Sequence, residues 1–311
     1  MEARLSKEYL SAVGQAVLVT LLWSSSWVII KFGLTEIPPL IFAGLRYVIG
    51  AIILIILILK DKNSRKWLSY QSRRWWGNIT IYGLVFITIT QGTQFLALSL
   101  LPAITVSFVL NLTIFVVIIL SIILLSESPS KFEIFFFVVV LIGVLIYFTP
   151  VDFSTATLFG LFIVVVELLA NSIATIQGRS INRSGNPTLL VTGVSMTIGA
   201  FGLLGWGFLT EDFTLILNFS PIAIFYIVWL GIVNTALAFT LWNSSMRHLR
   251  AMDSTLINST MLPQTVVLAI IFLQEWPRDF EWIGLILLVI SVVAIQLYQI
   301  VKMDTSERTM A

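Results

Sequence analysis

Hydrogen-bonding and ionisable side chains interrupt some of the most apolar stretches of this chain, and these residues could do chemistry. The stretch INSTMLPQTVV, residues 257–267, contains Asn258 and Ser259 and, four residues after the serine, Pro263. A helix that needed only an apolar surface would use none of these residue types. Because proline cannot donate a hydrogen bond, we expect the carbonyl of Ser259 to lose its helical partner and to bind a side chain or a ligand instead. A proline kink packed between helices is the alternative.

A single carboxyl group lies in the middle of another apolar stretch, LFIVVVELLANSIATIQG, in which Asn171 follows Glu167 by one helical turn. Residues four apart share one helix face, so the two side chains point the same way. A charge at the bilayer centre costs about 3 kcal/mol or more and must face a partner or water. Glu167 could therefore bind and release a proton, pair with a substrate amine, or form a structural hydrogen bond to a neighbouring helix, with Arg46 as the candidate partner.

Two basic residues lie within or beside the apolar stretches of the first 50 residues. Arg46 could bind a substrate carboxylate through two parallel hydrogen bonds. It could also snorkel or pair with Glu167, and we assign it a gating or structural role. Lys31 is expected to snorkel to the membrane interface. We place both in a gating or structural group together with Pro263.

Other polar and aromatic residues in the apolar stretches are candidates for lining a substrate cavity. The aromatic ones could surround the apolar part of a substrate, although each could equally pack in the bundle or face lipid. Asn111 lies at the same predicted depth as Ser259, roughly 12–14 Å into its helix. The candidate lining residues are Trp23, Trp27, Tyr82, Gln94, Asn111, Asn171, Asn234, Trp242, Asn258 and Ser259.

Composition identifies the class of protein. The chain has 311 residues, of which 58% are hydrophobic and 11% are charged, whereas soluble domains have about 45–50% and about 25%. One soluble core of this length cannot bury that much apolar surface. With no cysteine and one histidine, thiol chemistry, disulfides and a multi-histidine metal site are excluded. The net charge of +2 gives no reason to expect nucleic acid.

Ten stretches are long and apolar enough to cross a membrane, for which about 20 residues are needed. Lysine and arginine concentrate in the loops on the side of the two termini, which predicts that both termini are cytoplasmic. Only Lys31 and Arg278 lie on the other side, with a group of acids that includes Glu36 and Glu211. The predicted spans are 10–33, 38–59, 77–98, 102–125, 131–148, 156–178, 188–209, 220–243, 251–273 and 281–301.

The spans repeat after a shift of about 148 residues. The shift places Gly83 on Gly231, Asn111 on Ser259 and Phe115 on Pro263. Because five spans make one copy, the second copy enters the membrane from the opposite side, as in the inverted repeats of secondary transporters. The predicted units are residues 1–150, residues 151–301 and a polar tail, 302–311, expected to be disordered.

The run LLWSSSWVIIKFGLTEIPPLIFAGLRY resembles the opening of an EamA domain of the drug/metabolite transporter superfamily. The matching residues are Trp23 with the serines after it, Lys31, Pro39 and Arg46. The stretches LLSESPS and FLQEWPR are similar to the glycine–glutamate signature of the family, with Glu127 and Glu275 as the acids and without the glycine. The resemblance covers nearly the whole chain as two copies, and it implies ten helices arranged as an inverted five-plus-five pair.

These observations predict a secondary transporter in the cytoplasmic membrane that exports amino acids or similar small metabolites by alternating access. Protons are the candidate coupling ion, and no cofactor is expected. The alternative is an exporter of lipophilic cations with Glu167 as the counter-ion. The chain has no P-loop and no catalytic set of residues, so an ATP-driven pump and an intramembrane enzyme are disfavoured. A passive channel is a further alternative.

Overall fold

A computed structural model describes residues 7–125, 130–150, 154–183, 186–245, 248–249 and 257–310. The regular elements within these ranges are helices. They are α1 Lys7–Gly33, α2 Pro39–Lys60, α3 Lys62–Ser69, α4 Arg73–Gly83, α5 Thr90–Leu100, α6 Ala103–Asn111, α7 Thr113–Leu125, α8 Lys131–Tyr147, α9 Thr155–Arg183, α10 Thr188–Thr210, α11 Pro221–Trp229, α12 Ala238–Ser245, α13 Met261–Leu268 and α14 Asp279–Met310.

Within the described ranges, three π-helical segments and one 3₁₀ turn continue or connect these helices. Leu84–Ile89 joins α4 to α5, Leu230–Leu237 joins α11 to α12, and Ala269–Leu273 continues α13. A 3₁₀ turn, Phe213–Asn218, precedes α11. The first two π-helical segments interrupt the third span of each predicted repeat at matching places, which agrees with the frequent use of π-turns at functional sites.

Eight helical segments of the described residues are long and apolar enough to span a membrane, which confirms a polytopic membrane protein. A shorter apolar helix, Ile257–Leu273, covers most of the ninth predicted span. The helix α8 has 17 residues, at the short end of what a crossing requires. The eight segments are Lys7–Gly33, Pro39–Lys60, Arg73–Leu100, Ala103–Leu120, Thr155–Gly178, Thr188–Thr210, Pro221–Trp242 and Asp279–Tyr298.

Helix starts follow local capping chemistry. The hydroxyl of Ser220 accepts a hydrogen bond from the amide of Ala223 at the start of α11 (3.2 Å). Ser130 and Glu133 form a reciprocal capping box at the start of α8. Helix α2 begins with Pro39, whose missing N–H would be unpaired at that position in any case.

Each half of the chain packs its first helix against the other half. Helix α1 lies against α12, α13 and the π-helical segment of the eighth span, whereas α9 lies against α5, α6, α7 and the segment of the third span. Helices α2 and α10 pack on each other, and so do α8 and α14. Polar side chains of α1 and α9 therefore face spans from the opposite half.

The polar tail is a correction to the sequence interpretation. Residues 302–310 were expected to be disordered, but α14 continues through them to Met310. The stretch KMDTSERTM contains no glycine or proline, the two residues that most strongly end a helix. The polar connection at 60–76 likewise contains a short helix, α3, which Asp61 caps.

Helices α8 and α14 approach closely at two glycines. A methyl group at Gly284 would lie 2.6 Å from the β-carbon of Tyr147 and 2.7 Å from the carbonyl oxygen of Gly143. Both neighbours are held by the backbone of α8, so they cannot move aside cheaply. The close approach of these two helices therefore requires glycine at position 284.

We expect Gly284→Ala to lower the melting temperature in detergent by about 2–6 °C, because overpacking costs about 1–3 kcal/mol. Gly205→Ala is the matched control, since Gly205 is also within a helix but has no atom within 4 Å of the added methyl group. Both variants gain the same helix propensity. Equal melting temperatures for the two variants would contradict the close packing.

Candidate functional site

The fourth span is broken without a proline. Helix α6 ends at Asn111 and α7 begins at Thr113, and the amide of Leu112 donates to the carbonyl of Val109, three residues back (3.0 Å). The hydroxyl of Thr113 donates to the carbonyl of Leu110 (2.6 Å). The side-chain amide of Asn111 donates to the carbonyl of Ser107 (2.8 Å). The hydroxyl of Thr113 thus satisfies a carbonyl next to the break, and Asn111 adds a second local bond to the last turn of α6.

The ninth span is broken at the matching position. Thr260 follows Leu112 by the 148-residue shift, and its amide donates to the carbonyl of Ile257, three residues back (3.1 Å). The Thr260 hydroxyl donates to the same carbonyl (2.6 Å). Pro263 lies in the first turn of α13 just after the break, where a missing N–H is tolerated. The break expected from Pro263 is thus present, one residue from Ser259.

Glu167 is fully buried, and neither carboxyl oxygen has a hydrogen-bond partner among the described residues. It lies on α9, the helix that packs against the third and fourth spans. Tyr47 of α2 is close enough to interact with it electrostatically. The hydroxyl of Tyr47 donates to the side-chain oxygen of Gln91 (2.6 Å) and therefore does not donate to the carboxyl group. We call Glu167, Tyr47, Gln91, Asn171 and Thr113 the Glu167 cluster.

Asn171 contacts the break in the fourth span. Its side-chain amide donates to the hydroxyl of Thr113 (3.2 Å), which is the first residue after the break. The predicted pair of Glu167 and Asn171 on one face of α9 thus lies against the two halves of a broken helix. Thr113 was missed because a threonine in an apolar run gives no signal of its own in the sequence.

A second polar cluster joins α1 to the eighth span. Asn234 is fully buried, and its side-chain amide donates to the hydroxyls of Ser25 (3.2 Å) and Ser26 (2.9 Å) and to the carbonyl of Leu22. We call these residues, together with Gln264, the Asn234 cluster. The cluster connects the first helix of one half to the π-helical segment of the other.

Gln264 links α1 to the broken ninth span. Its side-chain oxygen accepts from the hydroxyl of Ser24 (3.0 Å). Its amide nitrogen lies 2.9 Å from the hydroxyl oxygen of Thr260 and 3.3 Å from that of Thr20. The predicted site residues did not include Gln264, although its position four residues after Thr260 puts both on one helix face.

Arg46 is buried but does not pair with Glu167, which corrects the pairing considered from the sequence. Its Nε donates to the hydroxyl of Thr235 (3.0 Å). Its guanidinium lies over the rings of Tyr47 and Phe95, at 5.1 and 5.9 Å from their centroids. Arg46 and Glu167 are therefore a buried basic and a buried acidic group that share Tyr47 as a neighbour and form no ion pair with each other.

The predicted aromatic lining divides between different parts of the bundle. Trp23 packs against Trp242, with ring centroids 5.2 Å apart, beside the Asn234 cluster. Trp27 is buried in the main apolar core. Tyr82 stacks on Phe86 beside Gly178 of α9, about three helical turns from Glu167.

The remaining predicted residues lie nearer the surface of the bundle. Asn258 and Pro263 are exposed, whereas Gln94, Asn111 and Ser259 are partly buried. Lys31 does more than snorkel, because it donates to the carbonyl of Leu101 (2.8 Å) and lies 3.9 Å from the carboxylate of Glu275. Glu127, the other acid of the family signature, lies outside the described residues.

Two segments of the chain, residues 10–149 and 158–297, match the model of the EamA-like transporter family. The chain belongs to this family. The two matches begin and end 148 residues apart, the same shift that places the two helix breaks on each other.

Relatives with similar sequences are described as transporters. An uncharacterized transporter of Archaeoglobus fulgidus is 23% identical over 287 residues, covering 88% of this chain and 93% of the relative. The uncharacterized transporter YvbV of Bacillus subtilis is 27% identical over 284 residues, covering 88% of each. A crystal structure with 20% identity and a TM-score of 0.65 covers 93% of this chain and 98% of its own, which shows a shared fold.

We expect Asn234→Leu to lower the melting temperature by about 2–4 °C, because hydrogen bonds between membrane helices contribute about 1 kcal/mol and the leucine removes all those that the side-chain amide of Asn234 donates. Asn78→Leu is the control, since Asn78 is exposed. Thermal unfolding in detergent measures both. A melting temperature that stays the same or rises in Asn234→Leu would show that these hydrogen bonds do not hold α1 in place.

Proposed function

We propose that this protein is a secondary transporter that exports amino acids or similar small zwitterionic metabolites across the cytoplasmic membrane. The family supports transport, and the observation that carries the substrate class is the unpaired arrangement of Glu167 and Arg46. A buried carboxylate without a partner is costly in a bilayer. An amino acid carries an amine for Glu167 and a carboxylate for Arg46, so it suits two opposite charges near one tyrosine.

The packing of the helices supports two inverted repeats, residues 1–150 and 151–301, with ten spans in total. The pairs α2 with α10 and α8 with α14 each join corresponding helices of the two halves. The exchange of α1 and α9 between halves is also symmetric. In such repeats the substrate site lies near the midplane between the halves, at discontinuous helices.

Alternating access provides the mechanism. The breaks at Leu112 and Thr260 divide the fourth and ninth spans into half-helices that could tilt separately around a fixed site. Glu167 is inaccessible from both sides in this structure because its side chain is fully buried. A tilt of α7 or α9 would expose it to one side, where it could exchange a proton or receive a substrate amine.

The exporter of lipophilic cations is the second candidate, and it is favoured because no described residue pairs with the carboxyl group of Glu167. A cation would pair with Glu167 and would leave Arg46 in its structural contact with Thr235. The two functions therefore differ in whether Arg46 contributes to transport.

Counterflow in proteoliposomes tests the proposal. Liposomes loaded with unlabelled amino acids should take up labelled amino acids saturably, and Glu167→Gln should reduce this uptake at least about tenfold, since a charge-assisted hydrogen bond contributes about 1.5–3 kcal/mol. Arg46→Gln should reduce amino-acid uptake as well. Glu8→Gln is the matched control, because Glu8 is exposed on the first turn of α1.

Other outcomes assign the function differently. Uptake of lipophilic cations that depends on Glu167 but not on Arg46 would favour the second candidate. Unchanged amino-acid counterflow in Glu167→Gln would contradict the role of the buried carboxylate. If a pH gradient drives wild-type uptake and still drives Glu167→Gln equally, Glu167 is not the proton-coupling residue.

A further inference from the structure

Carboxylates at one end of the bundle bind helix starts that belong to the other half of the chain. We call this end, formed by residues 34–38, 101–102, 211–220 and 274–278, the carboxylate end. Glu211 follows α10 in the second half, and its two oxygens accept from the amides of Leu40 (2.9 Å) and Ile41 (2.8 Å). Both amides lie in the first turn of α2, in the first half.

Glu275 makes the same kind of contact with α6. One of its oxygens accepts from the amide of Ile104 (3.2 Å), in the first turn of that helix. Its other oxygen lies 3.9 Å from the amine of Lys31, which also donates to the carbonyl of Leu101 just before α6. Glu275 and Lys31 thus join the end of α1, the start of α6 and the end of the ninth span.

The backbone before Glu275 is held in a conformation that positions its side chain. Gln274 has φ of 57° and ψ of 28°, in the left-handed region, which costs a residue with a side chain about 1–2 kcal/mol. The family signature has a glycine at this position, and glycine adopts this conformation without that cost. The chain keeps the conformation although it lacks the glycine.

Glu36 provides the third contact, in which an acid of the first half binds a helix start of the second half. It lies between α1 and α2 in the first half, and it accepts hydrogen bonds from the amide and the hydroxyl of Ser220, which caps α11 in the second half. The bonds from Ser220 lower the pKa of Glu36. Partial burial raises the pKa of Glu211 more than its two backbone bonds lower it.

The three contacts share one physical cause. The first N–H groups of a helix have no partner within the helix, and their dipoles attract negative charge. A carboxylate from the other half satisfies both requirements. The acids described at the opposite end behave differently, because Asp61 caps α3 directly after it and Glu133 belongs to the capping box of its own helix.

We propose that Glu36, Glu211 and Glu275 with Lys31 form a gate that holds the carboxylate end closed by binding helix starts across the two halves. The inference rests on the proposed alternating access. The distribution of lysine and arginine places this end outside the cell, so the structure is the state closed to the exterior. Opening to the exterior separates each carboxylate from its helix start and leaves both to be solvated by water.

Spin-label distances across the carboxylate end test the gate without relying on transport. The chain has no cysteine, so Ser99→Cys and Leu217→Cys provide two labels, one in each half, at exposed positions. In lipid nanodiscs we expect Glu211→Gln and Glu275→Gln each to increase the population of longer distances about fivefold over the labelled parent. The two variants remove separate contacts, so either one tests the gate if the other does not fold.

The matched control is Glu281→Gln, which removes a charge at the same end. Glu281 bonds to Arg278, three residues away on the same segment, so its variant should keep the parental distances. Unchanged distances in both gate variants, or an equal shift in the control, would overturn the gate. A shift without amino-acid or cation counterflow would instead support the gate and reject the proposed transport function.

Discussion

A polar group inside a bilayer must find its hydrogen-bond partner within the protein, and this constraint determines where the chain places its polar residues. At the two helix breaks the partners are local, because the hydroxyls of Thr113 and Thr260 donate to the carbonyls of Leu110 and Ile257. In the Asn234 cluster the partners lie on different helices. The side-chain amide of Asn234 donates to hydroxyls of α1, and the hydroxyl of Ser24 donates to Gln264 of the ninth span. The packing of α1 on the opposite half follows from these bonds as well as from apolar contact.

Glu167 departs most from this constraint, because both of its carboxyl oxygens are buried without a hydrogen-bond partner among the described residues. The 148-residue shift places Glu167 of α9 on Val19 of α1, so the same position in the first half has an apolar side chain. The repeat therefore gives two similar scaffolds with different chemistry. One contains neutral hydrogen bonds between helices, in which the side-chain amide of Asn234 donates to α1, and the other contains a carboxyl group that has no hydrogen-bond partner among the described residues. An unsatisfied carboxyl group is what a site for a charged substrate needs, whereas the neutral hydrogen bonds of the Asn234 cluster are suited to holding the halves together.

The sequence predicted a polytopic helical membrane protein, and eight of its ten predicted spans coincide with helical segments of the described residues that are long and apolar enough to cross a membrane. Long apolar stretches separated by charged loops are a strong signal. The sequence also predicted the break beside Ser259, since proline has a direct backbone effect. The break at Leu112 has no such signal: an ordinary leucine is flanked by an asparagine and a threonine whose side chains bind the backbone. The partner of Arg46 was not predictable either, because Thr235 is 189 residues away and only the packing of α2 on the eighth span brings them together.

Two of the contacts at the carboxylate end join a side-chain carboxylate to backbone amides at the start of a helix. A side chain changes with one substitution, but the amide groups of a helix start are present whatever residues, other than proline, occupy the first turn. Substitution of Leu40, Ile41 or Ile104 by any residue other than proline would therefore keep the amide donors, whereas replacing an acid by a residue without an acceptor would remove the bonds. Most side chains at this end of the bundle could therefore change while the contacts between the two halves persist, provided that a few acidic positions are kept.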